Sequence, residues 1–173
     1  MAGVGRERAW VRGAQAGDAS CVEALFRHHW PTAHRAAYLV VHDAAAAEDI
    51  AQEAFLAAVR NLDRFDRRRP FGPWLHRIVV NRAIDWARMR ALRGEAGDAA
   101  LAAAVAPERP ELDDRVLRAI RSLSPEHRAV IVLRHLLEYT PGEIARLLDL
   151  PRGTVNSRLR RALDALGERL GDG

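Results

Sequence analysis

Seven polar side chains near the carboxyl end of the chain have the chemistry that nucleic-acid binding requires. Arginine and asparagine form paired hydrogen bonds with guanine and adenine edges in the major groove, and serine or threonine can contact a base or a phosphate. An exposed helix without a ligand is the alternative interpretation, because arginine is a good helix former. The seven residues are Arg152, Thr154, Asn156, Ser157, Arg158, Arg160 and Arg161.

The sequence around these side chains predicts a helix-turn-helix. Residues 140–143 read Thr-Pro-Gly-Glu, which combines a capping box with proline at the first helical position. Residues 144–148 carry apolar side chains at i, i+3 and i+4, and residues 149–153 contain a proline and a glycine that should break the helix. A second helix is predicted from Thr154, and this pairing favours DNA binding over an unliganded helix. Its predicted apolar stripe is Val155, Leu159, Ala162, Leu163 and Leu166.

A second candidate site lies in the middle of the chain, where arginines are interspersed with aromatic residues. Residues 60–90 contain nine arginines and three aspartates. Opening a DNA duplex requires cations for the phosphates and a pocket for an unstacked base. The spacing of Phe71 and Trp74 directs both rings toward a core, so the preceding loop is the better candidate. Its candidate residues are Arg64, Phe65, Arg67, Arg68 and Arg69.

Acidic residues are segregated from both basic segments. Residues 43–53 contain four acidic residues and no basic one, and residues 95–114 contain six acidic residues and one arginine. The net charge of the whole chain is +4. Two basic segments separated by acidic sequence therefore indicate two separate contacts with a polyanion.

Composition excludes several other classes of protein. The chain of 173 residues is 49% apolar and 29% charged, and no apolar run approaches the length of a membrane span. The amino terminus lacks the apolar core of a signal peptide, so we expect a cytoplasmic protein without a membrane partner. A single cysteine, Cys21, cannot form an internal disulfide or a multi-thiolate zinc site.

Enzymatic activity is the first alternative function, because the chain contains seven histidines. His28 and His29 are sequential, so on a helix their side chains point to different sides and poorly share one metal ion. The sequence contains no zinc-protease, phosphate-loop or nucleophile motif. We therefore expect no enzymatic activity, no metal and no cofactor.

Helical periodicity extends through the chain without a convincing alternating strand, so an all-α fold is predicted. Residues 94–110 are rich in alanine, glycine, proline and acidic residues, and they are expected to form a flexible linker. The linker would join helical domains at residues 6–93 and 111–170. Besides the helix-turn-helix, helices are predicted at residues 6–16, 18–41 with a bend or restart at Pro31, 44–61, 71–93, 112–123 and from 125 onward.

Three segments carry a family resemblance. Residues 47–56 read AEDIAQEAFL, and residues 71–85 read FGPWLHRIVVNRAID. The third comprises residues 123–128, LSPEHR, followed by EIA at 143–145 and GTVNSR at 153–158. In this order and spacing the segments resemble the extracytoplasmic-function (ECF) subfamily of sigma-70-type RNA polymerase sigma factors, and they cover nearly the whole chain.

The resemblance implies a function and a set of partners. Residues 6–93 would form sigma domain two and residues 111–170 sigma domain four, which together bind core RNA polymerase and recognise the minus-ten and minus-thirty-five promoter elements. The implied partners are the beta-prime clamp helices and the beta flap of core polymerase, promoter DNA, and an anti-sigma factor. A helix-turn-helix regulator that does not bind core polymerase is the alternative, but it would leave the amino-terminal half unexplained.

The resemblance also implies roles for particular residues. The seven carboxyl-terminal residues would contact the minus-thirty-five element. The acidic face of residues 48–53 would dock on the clamp helices, although acids near a helix start also complement its macrodipole. The docking residues are Glu48, Asp49, Gln52 and Glu53. The minus-ten residues are Arg64, Phe65, Arg67, Arg68, Arg69, Asn81, Arg82 and Arg88, with Asn81 lining a pocket for a flipped base.

Overall fold

Helices account for all the regular structure in the described parts of the chain, as the all-α prediction requires. The computed structural model describes residues 2–94 and 113–171, so the predicted linker lies outside the described residues beyond Gly94. The helices are α1 (Ala2–Gln15), α2 (Ala19–Val41), α3 (Ala44–Arg60), α4 (Phe71–Leu92), α5 (Asp114–Arg121), α6 (Pro125–Ile131), α7 (Pro141–Leu148) and α8 (Arg152–Gly171).

The predicted helix starts are confirmed by their capping hydrogen bonds. Asp18 accepts the backbone N–H of Ser20 at the start of α2, and Asp43 accepts that of Ala46 at the start of α3. Thr140 forms the complete capping box, because the Glu143 carboxylate also accepts the Thr140 N–H at 2.8 Å. These local contacts satisfy backbone donors that have no partner inside the helix.

Two helix boundaries differ from the sequence prediction. Helix α2 runs through the exposed Pro31 without a restart, because buried side chains on both sides of the proline hold it against the core. Helix α8 begins at Arg152, so Gly153 lies in its first turn and not in the preceding break. Asp149, with φ of 54°, ends α7 in the left-handed conformation, which aspartate tolerates better than most residues.

The amino-terminal domain is a bundle of α2, α3 and α4 with α1 packed on α2. Alanine dominates the contacts between these helices, and its small side chain lets the backbones approach closely. Phe55 and Phe71 fill the larger spaces. The fully enclosed alanines are Ala36, Ala37, Ala47, Ala54, Ala58 and Ala83.

The carboxyl-terminal domain places the helix-turn-helix on α6. Ile144 of α7 and Val155 of α8 are completely buried, and α8 packs against α5, α6 and α7. A π-helical segment, Val132–Leu136, follows α6. After it the chain turns at Glu138, whose φ is 58°, and this turn brings Tyr139 to the start of α7.

The two domains pack against each other in what we call the closed arrangement. Helix α4 contacts α6 and α7, and α2 contacts α5 and α6. One apolar cluster includes buried residues of both domains. The carboxyl-terminal domain is therefore seated on the same two helices that form the centre of the amino-terminal bundle.

Candidate nucleic-acid interface

The predicted recognition residues lie on α8, which buries Val155, Leu159 and Ala162. Leu163 was predicted in the same apolar stripe, but it is 48% exposed because it lies at the edge of the buried face. Three of the recognition residues, Thr154, Ser157 and Arg158, are half-buried. The other four, Arg152, Asn156, Arg160 and Arg161, are exposed.

The arginines of α8 keep their charge available. None of the four recognition arginines, Arg152, Arg158, Arg160 and Arg161, forms an ion pair with a residue in the described ranges. Unpaired arginines on the surface of a helix create a positive potential that attracts phosphate. This arrangement can hold a helix against duplex DNA.

The central basic loop connects α3 to α4. A short 3-10 turn, Leu62–Arg64, begins it, and irregular backbone continues to Pro70. All four of its predicted arginine contacts are exposed, and none has an ion-pair partner among the residues that the structure describes. They are Arg64, Arg67, Arg68 and Arg69.

The loop's aromatic residue is turned inward. Phe65 is 8% exposed and stacks on Trp74, with ring centroids 4.7 Å apart and an angle of 30° between the planes. Phe71 meets both rings edge-on. Phe65 is thus packed beneath the loop, and both Phe65 and the half-buried Trp74 line an open cleft. Trp74, whose spacing directs its ring toward the core, packs against the core cluster but stays partly exposed to this cleft.

Asn81 and its neighbouring arginines differ in their hydrogen bonding. The half-buried Asn81 amide has no hydrogen-bond partner in the described parts of the chain, so it is not satisfied by the helix backbone. Arg82 is paired with Glu53 at 2.7 Å, and Arg88 with Glu126 at 2.6 Å. The two arginines predicted beside the minus-ten element are thus held by acidic side chains.

The acidic face of α3 is open to solvent. Glu48, Asp49, Gln52 and Glu53 are all exposed, and Gln52 donates a hydrogen bond to Glu48 at 3.2 Å. Only Glu53 of the four forms an ion pair within the described residues, with Arg82. Asp49 consequently offers a carboxylate without a competing cation.

Polar contacts fasten the two domains together. Arg128 of α6 donates a hydrogen bond to the Val40 carbonyl at 2.5 Å, near the end of α2. His76 of α4 shares a hydrogen bond with the Tyr139 hydroxyl, with 2.8 Å between Nδ1 and the oxygen. Together with the Arg88–Glu126 pair, these contacts link α2 and α4 to the carboxyl-terminal domain.

The closed arrangement leaves a cleft of about 710 Å³ between the basic loop and α7. The sequence singled out Arg64, Phe65 and Arg69 among the cleft residues but not the cleft itself, because its lining residues come together only when the domains pack. The amino-terminal domain contributes Asn61, Arg64, Phe65, Asp66, Arg69, Pro70, Pro73, Trp74 and Arg77, and the carboxyl-terminal domain Tyr139, Glu143, Arg146 and Leu147.

Two imidazoles at the domain contact are kept neutral. The pKa of His42 is lowered to about 3, mainly by burial and also by the nearby Arg128 and Arg121. The pKa of His76 is lowered to about 4, mainly by burial and also by His29, against an opposing effect of Glu7. Both Nε2 atoms are shielded from solvent and have no hydrogen-bond partner in the structure as described.

The described ranges contain neither a metal-binding cluster nor a membrane-spanning helix. No group of three or more histidine, cysteine, aspartate or glutamate side chains there is placed to hold a metal ion. None of the helices in those ranges is long and apolar enough to cross a membrane.

Comparison with known proteins identifies the family. Residues 25–93 match the family model for Sigma-70 region 2, and residues 113–166 match that for Sigma-70 region 4. The chain is 36% identical over 151 residues to the ECF RNA polymerase sigma factor SigW of Bacillus subtilis, covering 78% of this chain and 81% of that protein. The chain belongs to the ECF sigma factors. As such, it directs promoter-specific initiation by RNA polymerase.

Further relatives of this sigma factor support the assignment. The ECF RNA polymerase sigma factor SigL of Mycobacterium tuberculosis is 35% identical over 165 residues, covering 90% of this chain and 92% of that one. CnrH, solved in complex with the cytosolic domain of CnrY, aligns with a TM-score of 0.72 at 28% identity over 96% of this chain and 98% of its own. Family membership does not support the regulator that acts without core polymerase.

The buried imidazoles make the closed arrangement of the sigma factor sensitive to pH. When the domains separate, we expect His42 and His76 to return toward the ordinary pKa of about 6.5. Above pH 6.5 the two imidazoles are neutral in both the closed and the open arrangement. Between pH 6.5 and about 4 they take up protons only in the open arrangement. Each imidazole then favours opening by roughly 1.4 kcal/mol per pH unit.

Small-angle X-ray scattering checks this prediction. The radius of gyration should increase as the pH falls from 7.5 to 5.0. His76→Gln should reduce this pH-dependent change whatever its starting radius, whereas His135→Gln, at an exposed position, should leave it intact. A wild-type radius that is constant over this range would contradict the prediction.

Proposed function

We propose that the two domains of this sigma factor contact separate promoter elements. Helix α8 contacts the minus-thirty-five element, and the basic loop with α4 contacts the minus-ten element. One observation carries the proposal. Each domain has a set of arginines on its surface, and the arginines of these two sets form no ion pairs within the described residues. Separate cationic surfaces suit separate sites on one polyanion.

The proposed contact of α8 combines base reading with phosphate binding. Arg160 and Asn156 are exposed opposite the buried stripe, so they can reach base edges in the major groove. Arg152, Arg158 and Arg161 flank them and suit phosphates, which position a protein on DNA. Thr154 and Ser157 provide short hydroxyl donors near the start of the helix.

The proposed minus-ten contact requires strand opening. The Asn81 amide can both donate and accept hydrogen bonds, which suits the Watson–Crick edge of a flipped base. Arg64 and Arg67–Arg69 suit the backbone of the opened strands, and Phe65 would hold the loop in shape. Arg82 and Arg88 can contact the duplex backbone once their present acidic partners are exchanged for phosphate.

The exposed acidic face of α3 is our candidate for docking on the beta-prime clamp helices of core polymerase. We place the sigma domains at residues 6–93 and 111–170, with the linker at 94–110 and the second domain near the beta flap. We include an anti-sigma factor among the proposed partners, and the structure of CnrH with the cytosolic domain of CnrY supports a protein partner for a chain of this fold. The sigma factor would act in the cytoplasm without catalytic activity of its own.

Promoter reading by α8 is tested with Arg160→Ala. Loss of one paired base contact should weaken binding by about 1–3 kcal/mol for the preferred minus-thirty-five sequence. The substitution should have little effect on promoters that are altered at the contacted base pair. Run-off transcription with reconstituted holoenzyme on a set of promoter variants compares the effect on the preferred promoter with the effect on the altered ones. Arg169→Ala, an exposed change at the far end of α8, is the control. An equal loss on every promoter would make Arg160 a phosphate contact.

Docking on core polymerase is tested with Asp49→Arg. This charge reversal breaks no ion pair among the described residues, whereas reversal of Glu53 would also release Arg82. We expect weaker binding to core enzyme in a fluorescence titration, with unchanged helicity. Glu168→Arg on α8, an exposed charge reversal that also breaks no ion pair among the described residues, is the control. Unchanged core affinity for Asp49→Arg would remove this face from the docking surface.

A further inference from the structure

The basic loop has few contacts of its own. Inside the loop, the Asp66 carboxylate accepts the Arg68 N–H at 2.9 Å, and the Asp66 carbonyl accepts the Arg69 N–H at 2.9 Å. The loop's arginine side chains are exposed, so they do not anchor it. Its conformation must therefore depend on contacts from neighbouring elements.

Gln15, the last residue of α1, holds the beginning of the loop. Its side-chain amide nitrogen donates to the Leu62 carbonyl at 2.8 Å and to the Phe65 carbonyl at 3.1 Å. These two carbonyls lie at opposite ends of the 3-10 turn. A single half-buried amide thus fixes the part of the backbone that carries Arg64 and the buried Phe65.

Glu7, two turns earlier in α1, holds the end of the loop. Helix α4 begins after Pro70, which provides no side-chain cap. The Glu7 Oε1 atom instead accepts the backbone N–H groups of Phe71 at 3.1 Å and Gly72 at 3.2 Å. Buried N–H groups at a helix start need such an acceptor, and a negative charge there also complements the macrodipole.

A buried histidine fixes the Glu7 carboxylate in place. His29 Nε2 lies 3.1 Å from the same oxygen, and this hydrogen bond is the largest cause of the lowered pKa of Glu7. Glu7 is consequently ionised at neutral pH. Space at the contact is limited, because a Cβ atom on Gly72 would lie 3.3 Å from His29 Cε1.

From these contacts we infer that Glu7 and Gln15 are positioning residues for strand opening. Helix α1 presents Glu7, the buried Val11 and Gln15 at i, i+4 and i+8, so one face of the helix spans both ends of the loop. Helix α1 thereby holds both ends of the loop and keeps the loop arginines in a fixed geometry. Helix α1 precedes the residues that match Sigma-70 region 2. The inference rests on the proposed minus-ten role of the loop.

The experiment measures open-complex formation with holoenzyme on duplex promoter and on the same promoter with a pre-melted minus-ten region. Gln15→Glu keeps the side-chain shape but replaces the donor nitrogen by an acceptor that faces two carbonyls. Glu7→Gln keeps an acceptor oxygen but removes the charge. Each should slow opening of the duplex roughly tenfold, the factor that corresponds to about 1.4 kcal/mol in the barrier. Both should act normally on the pre-melted promoter and keep wild-type affinity for core enzyme.

Matched controls separate positioning from a loss of stability. Glu23→Gln, in an exposed pair with Arg27, and Arg12→Ala on α1 should open the duplex promoter at the wild-type rate. Wild-type opening rates for both Gln15→Glu and Glu7→Gln would overturn the inference. Equal losses on duplex promoter, pre-melted promoter and core binding would also overturn it, because they indicate a general loss of folding.

Failure of the inference is distinguishable from failure of the proposed function. If the loop does not read the minus-ten element, Arg67→Ala and Arg68→Ala will open the duplex as fast as the wild type. If the loop does read it without help from α1, those two variants will be slow while Gln15→Glu and Glu7→Gln remain fast.

Discussion

The hydrogen bond from Arg128 of α6 to the carboxyl end of α2 is one of the polar contacts on which the closed arrangement depends. The Arg128 guanidinium donates to the Val40 carbonyl near the end of α2, where the last carbonyls have no partner within the helix and the macrodipole is negative. The same guanidinium donates to the Leu123 carbonyl at 3.0 Å. It therefore links the segment just before α6 to the end of α2. The cleft, the shared apolar cluster and the His76–Tyr139 hydrogen bond all require the domains to stay in this position. Protonation of His42, beside Arg128, places a second positive charge at that contact.

This packing gives the two proposed DNA surfaces different accessibility. The α8 face is exposed and turned away from the core, so duplex DNA can reach it in the closed arrangement. The basic loop faces α7 across the cleft, and Arg88, one of its supporting arginines, is paired with Glu126 of the other domain. If the loop contacts opened strands as proposed, that contact would favour separation of the domains. Binding of a partner that spans the cleft would have the opposite effect.

The sequence predicted the features that depend on neighbouring residues. The caps at Asp18, Asp43 and Thr140, the buried stripe of α8 and the all-α class follow from local hydrogen bonds and helical periodicity. The pairing of His76 with Tyr139 joins residues 63 apart, and the Glu7 cap of α4 joins residues 64 apart. Periodicity carries no information about such pairs, because each depends on which helices become neighbours. The same limit applies to the Arg82–Glu53 ion pair, which joins α4 to the neighbouring α3.

The proposed role of Asn81 in strand opening is tested most directly by permanganate footprinting of the minus-ten region with reconstituted holoenzyme. The wild-type sigma factor should make thymines in this region reactive. Asn81→Ala should lower that reactivity on duplex promoter and recover part of it on a pre-melted template, since the amide has no other hydrogen-bond partner in the described structure. Met89→Ala, two turns further along α4 at an exposed position, provides the control. Wild-type thymine reactivity with Asn81→Ala would contradict the assignment of the pocket.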